Sequence, residues 1–229
     1  LVGRLAGRTI HAYGTKANVR EPYVAATTPY LALPLDSAVG VSTGKKRTVA
    51  EIQAIIQRRK TELDARATRY GPLAEVYAAM QTCLAWDTIY EPSHDRVVTP
   101  VSRIWNIHWG GYVLFCWDTY FAAYMAALDN KDLAYANAIE ITREKTENGF
   151  VPNFGTVNHV KSRDRSQPPV GSMVIRELYR RFGDQWLLAE VFDDLLEWNR
   201  WWVNHRNHNG LLCWGSDPYE PLVDARYEV

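Results

Sequence analysis

The sequence predicts an all-α fold of helical hairpins, preceded by a short extended or β segment. Three observations carry that expectation. Hydrophobic periodicity marks six helical segments, roughly 48–68, 72–88, 111–129, 131–146, 168–182 and 185–206. Short turns join them in pairs, at Arg69-Tyr70-Gly71, near Asn130 and at Gly183-Asp184. Long polar-aromatic stretches, 89–110, 147–167 and the tail 207–229, follow each pair. Successive helices in such an array run antiparallel, so the long stretches are expected to gather at one end. Loops held by a rigid scaffold are where function concentrates.

Each element has its own signal. Residues 1–47 are rich in Gly, Thr and Pro, with short runs such as Tyr23-Val24-Ala25-Ala26 and Tyr30-Leu31-Ala32-Leu33. They read as strands or an extended connector, such as the end of an upstream β domain, with the helical part spanning 48–229. Thr48-Val49-Ala50-Glu51 has the form of a capping box, and Ile52, Ile55, Ile56 and Leu63 then mark an apolar face. Pro72 suits the first turn of the second helix, on which Val76, Met80, Cys83 and Leu84 are expected to face inward. The third segment is apolar nearly all round, from Val113, Leu114 and Phe115 to Met125 and Leu128, and reads as an inner helix. The fourth carries Lys131, Asp132, Asn137, Glu140, Arg143, Glu144 and Lys145, the polar face of an outer helix. Pro168-Pro169 opens the fifth and Gly183 stops it, while the sixth is aromatic, with Trp186, Phe192, Trp198, Trp201 and Trp202.

Composition excludes several classes. Lys+Arg and Asp+Glu balance at 26 each, so there is no basic surplus to hold a nucleic acid. No stretch approaches the ~20 apolar residues of a membrane span, and no membrane partner is expected. Cys83, Cys116 and Cys213 form no CxxC pair, which argues against a disulfide framework or structural zinc. His205 and His208 have helical spacing but no carboxylate partner at metal-ligand distance in the sequence. No metal or other cofactor is expected. Asp87, Glu91 and Asp95 read as solvated or capping residues. The first 30 residues lack the apolar core of a signal peptide, giving a cytoplasmic expectation, and a chain that starts at Leu1 is expected to be a fragment.

The chemistry-bearing residues sit in the long connections and beside them. Trp117-Asp118 suits a sugar, since an indole stacks on the C–H face while a carboxylate accepts from hydroxyls. The same pair also reads as a core indole beside a capping or ion-paired carboxylate. Arg163-Asp164-Arg165-Ser166-Gln167-Pro168-Pro169 offers charges and an amide on a backbone stiffened by prolines. Its plainer alternative is a solvated loop whose Arg and Asp pair with each other. Gly149–Phe154 adds Asn153 as a hydroxyl ligand, and Trp214-Gly215-Ser216-Asp217-Pro218-Tyr219-Glu220-Pro221 repeats the stiff aromatic pattern. Convergence of these loops at one end makes a carbohydrate cleft.

Four of these stretches resemble glycoside hydrolases of family 63, the group of processing α-glucosidases and mannosylglycerate- or glucosylglycerate-hydrolase-like enzymes. They are Trp117-Asp118-Thr119-Tyr120-Phe121, Gly149-Phe150-Val151-Pro152-Asn153, Ser162–Pro169 and Trp214-Gly215-Ser216-Asp217-Pro218. Together they cover roughly residues 100–221, and Ser166-Gln167-Pro168-Pro169 is the most specific. The resemblance implies an (α/α)6 toroid of which this chain holds about half, so that it needs the rest of its own toroid. It implies a carbohydrate substrate and inverting hydrolysis of α-glycosidic bonds. It assigns the matching Trp117-Asp118 pair to holding the sugar in the −1 subsite, and Trp117, Asp118, Asn153, Arg165, Gln167 and Trp214 are accordingly read as substrate-binding. The family's proton donor lies in a Glu-Ser-Gly-(Leu/Met)-Asp element and its base is a later Glu; neither occurs in 1–229, so no catalytic residue is assigned. Two other classes fit the pattern less well: a non-catalytic helical carbohydrate-binding or scaffold module, and a terpene-cyclase-like toroid, which would want an Asp-x-Asp-Asp element.

Overall fold

A computed structural model describes residues 1–5, 7–20 and 30–216. The Tyr23–Ala26 run, Asp217 and Glu220 lie outside the described residues. The chain forms two compact units, 1–78 and 79–229, with the division falling inside a helix.

In the first unit, β1 (Val2–Leu5) and β3 (Val41–Thr43) flank β2 (Arg8–Gly14) in an antiparallel sheet. Helix α1 (Val49–Thr68) starts as the sequence predicts: the Thr48 side chain accepts from the Glu51 N–H, and the Glu51 carboxylate accepts from the Thr48 N–H at 2.7 Å. Its expected apolar face is not buried. Ile56 and Leu63 are exposed, and no α1 residue is fully covered. Pro72 falls in a 3-10 turn, Gly71–Leu73, so α2 begins later than predicted, at Ala74, and runs to Asp87. Along it Tyr77 and Leu84 are buried, whereas Val76 and Cys83, expected inside, are exposed.

The second unit holds the main core. A hairpin of β4 (Ile89–Glu91) and β5 (Arg96–Val98) follows α2. The expected helix 111–129 splits. Residues Val113–Phe115 form a strand, β6, and α3 occupies only Cys116–Ala126. β6 pairs antiparallel with β7 (Phe154–Thr156), placing Phe115 opposite Phe154. A short apolar run does not separate strand from buried helix, and here a distant partner decides. Next come α4 (Lys131–Arg143), α5 (Gly171–Phe182), α6 (Gln185–His205) and a small hairpin of β8 (Asn207–His208) and β9 (Leu211–Leu212).

The polar face of α4 is only partly turned to solvent. Asn137 is fully buried, accepting from the Thr99 N–H at 2.7 Å and donating to Thr99 Oγ1 at 2.9 Å. Glu144, just past its end, is buried too, while Asp132 and Arg143 stay exposed. Those two buried residues meet polar partners from the β5 region instead of solvent. The α3, α4 and α6 core centres on Tyr120 and Trp198, both fully covered and stacked at 5.9 Å, with the Tyr120 hydroxyl 2.8 Å from Thr142 Oγ1. Gly183 ends α5 in the left-handed region, φ 74°, as its position predicts. Trp201 and Trp202 join the core, while Trp186 and Phe192 on the same helix stay exposed.

Gly171 at the start of α5 is where this core is tightest. A Cβ there would meet Tyr120 Cζ at 2.8 Å and both Leu195 Cδ2 and Trp198 Cζ3 at 2.9 Å. Gly171→Ala is therefore expected to destabilise the unit by about 1–3 kcal/mol despite its helical favour, because stacked rings have no room to retreat. Chemical denaturation at neutral pH measures it, and an unchanged midpoint would show that the stack can open.

Candidate functional site at the start of α3

The β6–β7 pairing brings three distant segments side by side. One rung beyond Phe115, the Cys116 N–H donates to the Asn153 carbonyl at 3.1 Å. On its other side the Asn153 N–H donates to the Arg165 carbonyl at 3.0 Å. Phe154 and Ser162 are tied by two bonds, each 3.1 Å: the Ser162 N–H to the Phe154 carbonyl, and the Phe154 N–H to Ser162 Oγ. Residues 113–116, 153–156 and 162–167 are thereby in fixed register.

A helix start leaves N–H groups without partners inside the helix. Phe115, the residue before α3, has no side chain to cap them. Gln167 does so from another loop: its Oε1 accepts from the Trp117 N–H at 2.8 Å. That bond fixes the amide's orientation, since a backbone N–H can face only the oxygen. The two Nε2 protons of Gln167 are left on the opposite side, available to an acceptor.

Asp118 stands in the first turn of α3, where the helix dipole favours a negative charge. Among the described residues its carboxylate has neither a capping hydrogen bond nor an ion-pair partner, and it is partly exposed. The plainer alternative for Asp118, a cap or an ion pair, is therefore not what the geometry shows. Trp117 beside it is 40% exposed, not core, with its ring centroid 6.4 Å from Phe121.

Trp214 is 69% exposed, yet its indole is held: Nε1 donates to the Ser166 carbonyl at 2.9 Å. For the Arg163–Arg165 cluster the structure shows the plainer alternative in part. Arg165 Nη1 pairs with Asp164 Oδ2 at 2.7 Å, and the Ser216 hydroxyl donates to the same oxygen at 2.7 Å. Arg163 reaches outward to Glu147 at 3.4 Å.

Five of the six residues singled out in the sequence are thus joined by hydrogen bonds, and Asp118 adjoins them through Trp117. The Trp117 N–H meets the Gln167 side chain, Asn153 and Arg165 meet through backbone, and Trp214 reaches the Ser166 carbonyl. A separate cleft of about 970 Å³ is lined by Trp86, Tyr90, Glu91, Arg103 and Tyr112 among others, and none of the six lines it. Among the described residues no group of three or more His, Cys, Asp or Glu side chains is arranged to hold a metal ion.

Trp105, in the 89–110 connection, is 54% exposed and sets its ring edge-on to Phe115, 5.0 Å between centroids. One feature escaped sequence reasoning: Glu91 is not solvated but buried, 4% exposed. Arg96 Nε donates to Glu91 Oε2 at 2.6 Å and Arg96 Nη1 to Glu144 Oε1 at 2.8 Å, while Lys161 Nζ holds Glu144 Oε2 at 2.9 Å. Tyr112, Ser93 and His94 also bond Glu91. Burial alone would raise the Glu91 pKa, but hydrogen bonds from Ser93, Tyr112, His94 and Arg96 outweigh it and hold the group at about 2. The Glu144 carboxyl is also lowered, its burial offset by Lys161 and Arg96. Gly155 lets Glu144 approach, since a Cβ there would lie 2.6 Å from Glu144 Oε2. The network thus braces the β6–β7 ribbon from below, and no sequence pattern links Glu91 to residues so far along the chain.

No curated protein matches the chain. Residues 111–224 match the family model of the mannosylglycerate hydrolase MGH1-like glycoside hydrolase domain, a segment that contains all six residues of the site. The match supports a glycosidase of the family 63-like group.

Proposed function

We propose that the loops around the start of α3 form part of the sugar-binding subsite of a glycosidase that hydrolyses α-glucosides or related small α-glycosides with inversion. One observation carries this: Asp118, whose carboxylate has no ion-pair partner among the described residues, follows the exposed Trp117 in the first turn of α3, and the Gln167 amide has its acceptor side already committed to the Trp117 N–H. Such a set offers a stacking face, a charged acceptor and a two-proton donor, which is what a pyranose with alternating C–H faces and hydroxyls requires.

In this reading α3 to α6 are two hairpins of an (α/α)6 toroid, and the rest of the toroid completes the cleft. Asn153 and Trp214 add a hydroxyl ligand and a second stacking surface, and Arg165, charge-paired with Asp164, completes the set. The proton donor and the water-activating carboxylate, which stand ~6.5–9.5 Å apart in inverting enzymes, are not among these six residues.

Turnover of a panel of α-linked disaccharides and glycosylglycerates by the full-length glycosidase that carries this segment tests the reading, together with saturation-transfer NMR to locate bound sugar protons. Release of the β-anomer from at least one α-glycoside, with transfer to the sugar's C–H face, is the expected result. Binding without any turnover would overturn the enzymatic part, and neither binding nor turnover would overturn the whole.

A further inference from the structure

Ser166 is the most densely connected small residue beside the site. It is 1% exposed. Its hydroxyl donates to the Val151 carbonyl at 2.6 Å, with the Gln167 carbonyl at 3.1 Å as an alternative acceptor. The same oxygen accepts from Trp198 Nε1 at 2.9 Å, and the Ser166 backbone carbonyl accepts from Trp214 Nε1 at 2.9 Å. The next residue, Gln167, caps α3 through its side chain. One serine therefore joins the 150–153 approach to β7, the buried face of α6, the chain after β9 and, through its neighbour, the start of α3.

We propose that Ser166 is the positioning residue of the site, setting where Gln167 and Trp214 are presented to a ligand. The proposal rests on the sugar-binding reading of those two residues but is testable apart from it. Bonds at Ser162, Asp164 and Arg165 hold the loop before Ser166, but they do not reach past Gln167. Pro168 and Pro169 carry no N–H, so the segment just past Gln167 makes few backbone bonds of its own. The Ser166 side chain supplies the missing anchor, and only a hydroxyl of this size fits. It gives one proton to a carbonyl while accepting from an indole that is fully buried and has no water to turn to. Alanine offers neither bond, and threonine adds a methyl where there is no exposed space.

Ser166→Ala, Ser166→Cys and Trp198→Phe separate positioning from plain stability. Trp198→Phe removes the indole donor but leaves Ser166 bonded to Val151, so it reports the cost to the core alone. Ser166→Ala is expected to weaken binding of an α-glucoside, methyl α-glucoside serving as probe, by about 10-fold or more, the scale of losing one or two well-placed hydrogen bonds. Trp198→Phe is expected to lower Tm with affinity changed less than about 3-fold. Protein labelled with 5-fluorotryptophan gives an independent signal. The Trp214 fluorine resonance, assigned through Trp214→Phe, should shift in sugar-free Ser166→Ala and stay in place in Trp198→Phe. If Ser166→Ala does not fold, Ser166→Cys, which keeps a weak donor and acceptor, is read in the same way.

A folded Ser166 variant with an unmoved Trp214 resonance and wild-type affinity would overturn the proposal. So would equal loss of affinity in Trp198→Phe, since the effect would then run through α6 packing. If the wild-type protein binds no sugar while the Trp214 resonance still shifts in Ser166→Ala, the sugar reading fails and the positioning role stands.

Discussion

Replacing Asp118 by Asn is expected to cut kcat/KM for an α-glucoside by at least about 100-fold in the active glycosidase that carries this segment. The carboxylate has no protein partner to lose among the described residues, so the whole effect falls on the ligand. Two hydrogen bonds from sugar hydroxyls to a charged acceptor contribute ~1.5 kcal/mol each or more, and ~1.4 kcal/mol is a factor of ten. Asn keeps the shape but removes the charge, and turns one acceptor oxygen into a donor. Stability should barely change, within about 0.5 kcal/mol, because only the helix-dipole contribution of the first turn is lost. Steady-state kinetics alongside a melting curve measure both quantities. Near-normal kcat/KM would remove Asp118 from the subsite.

The second large effect is expected far from the sugar. Arg96→Met should destabilise the second unit by about 3–5 kcal/mol, because it leaves Glu91 and Glu144 buried without the guanidinium that serves both. Glu144 keeps the Lys161 ammonium, whereas Glu91 keeps its hydrogen bonds from Ser93, Tyr112 and His94 but loses its guanidinium. Acid sensitivity follows from the same group. The Glu91 carboxyl is depressed from 4.5 to about 2 in the folded protein. Its contribution to stability is therefore present above pH ~4.5 and lost as pH falls toward ~2, about 3 kcal/mol in all. Urea denaturation at pH 7 and acid unfolding followed by circular dichroism from pH 6 to 2 measure the two effects. The variant's acid midpoint should move upward; equal acid midpoints in the two proteins would show that Arg96 does not hold the Glu91 charge.

How far the sequence could be read depended on how local each cause is. The Thr48–Glu51 capping box, the turn near Asn130 and the Gly183 stop are settled within a few residues, and the structure has all three. The candidate residues drew notice for another reason: Trp, Asp, Asn and Gln placed in stiff connections are costly to leave idle. The structure shows that the segments around Asn153, Gln167 and Trp214 are joined by hydrogen bonds near the start of α3. What failed was anything decided by a distant partner. Val113–Phe115 reads as helix until Phe154–Thr156 offers a ladder. Asn137 and Glu144 read as a solvent face until Thr99 and Arg96 cover them. Ile56 and Leu63 read as buried because their helical spacing is right, yet nothing in the described structure fully covers them. Ser166 drew notice only as a member of a motif; its bonds to Val151, Trp198 and Trp214 have no signature in linear order.

The bonds that assemble the site span great stretches of chain: 50 residues from Trp117 to Gln167, 48 from Ser166 to Trp214 and 52 from Asp164 to Ser216. The α3–α4 pair, by contrast, is closed by a turn of a few residues. Loop-closure entropy thus orders the events, with helices collapsing early and the ligand surface knitting together last. On a ribosome, Trp117 and Asp118 would emerge long before the residues that hold them in place. The hydrogen-bonded cluster around Ser166 is consequently a late acquisition in the birth of this protein, and its last bonds come from Trp214 and Ser216, made after α6.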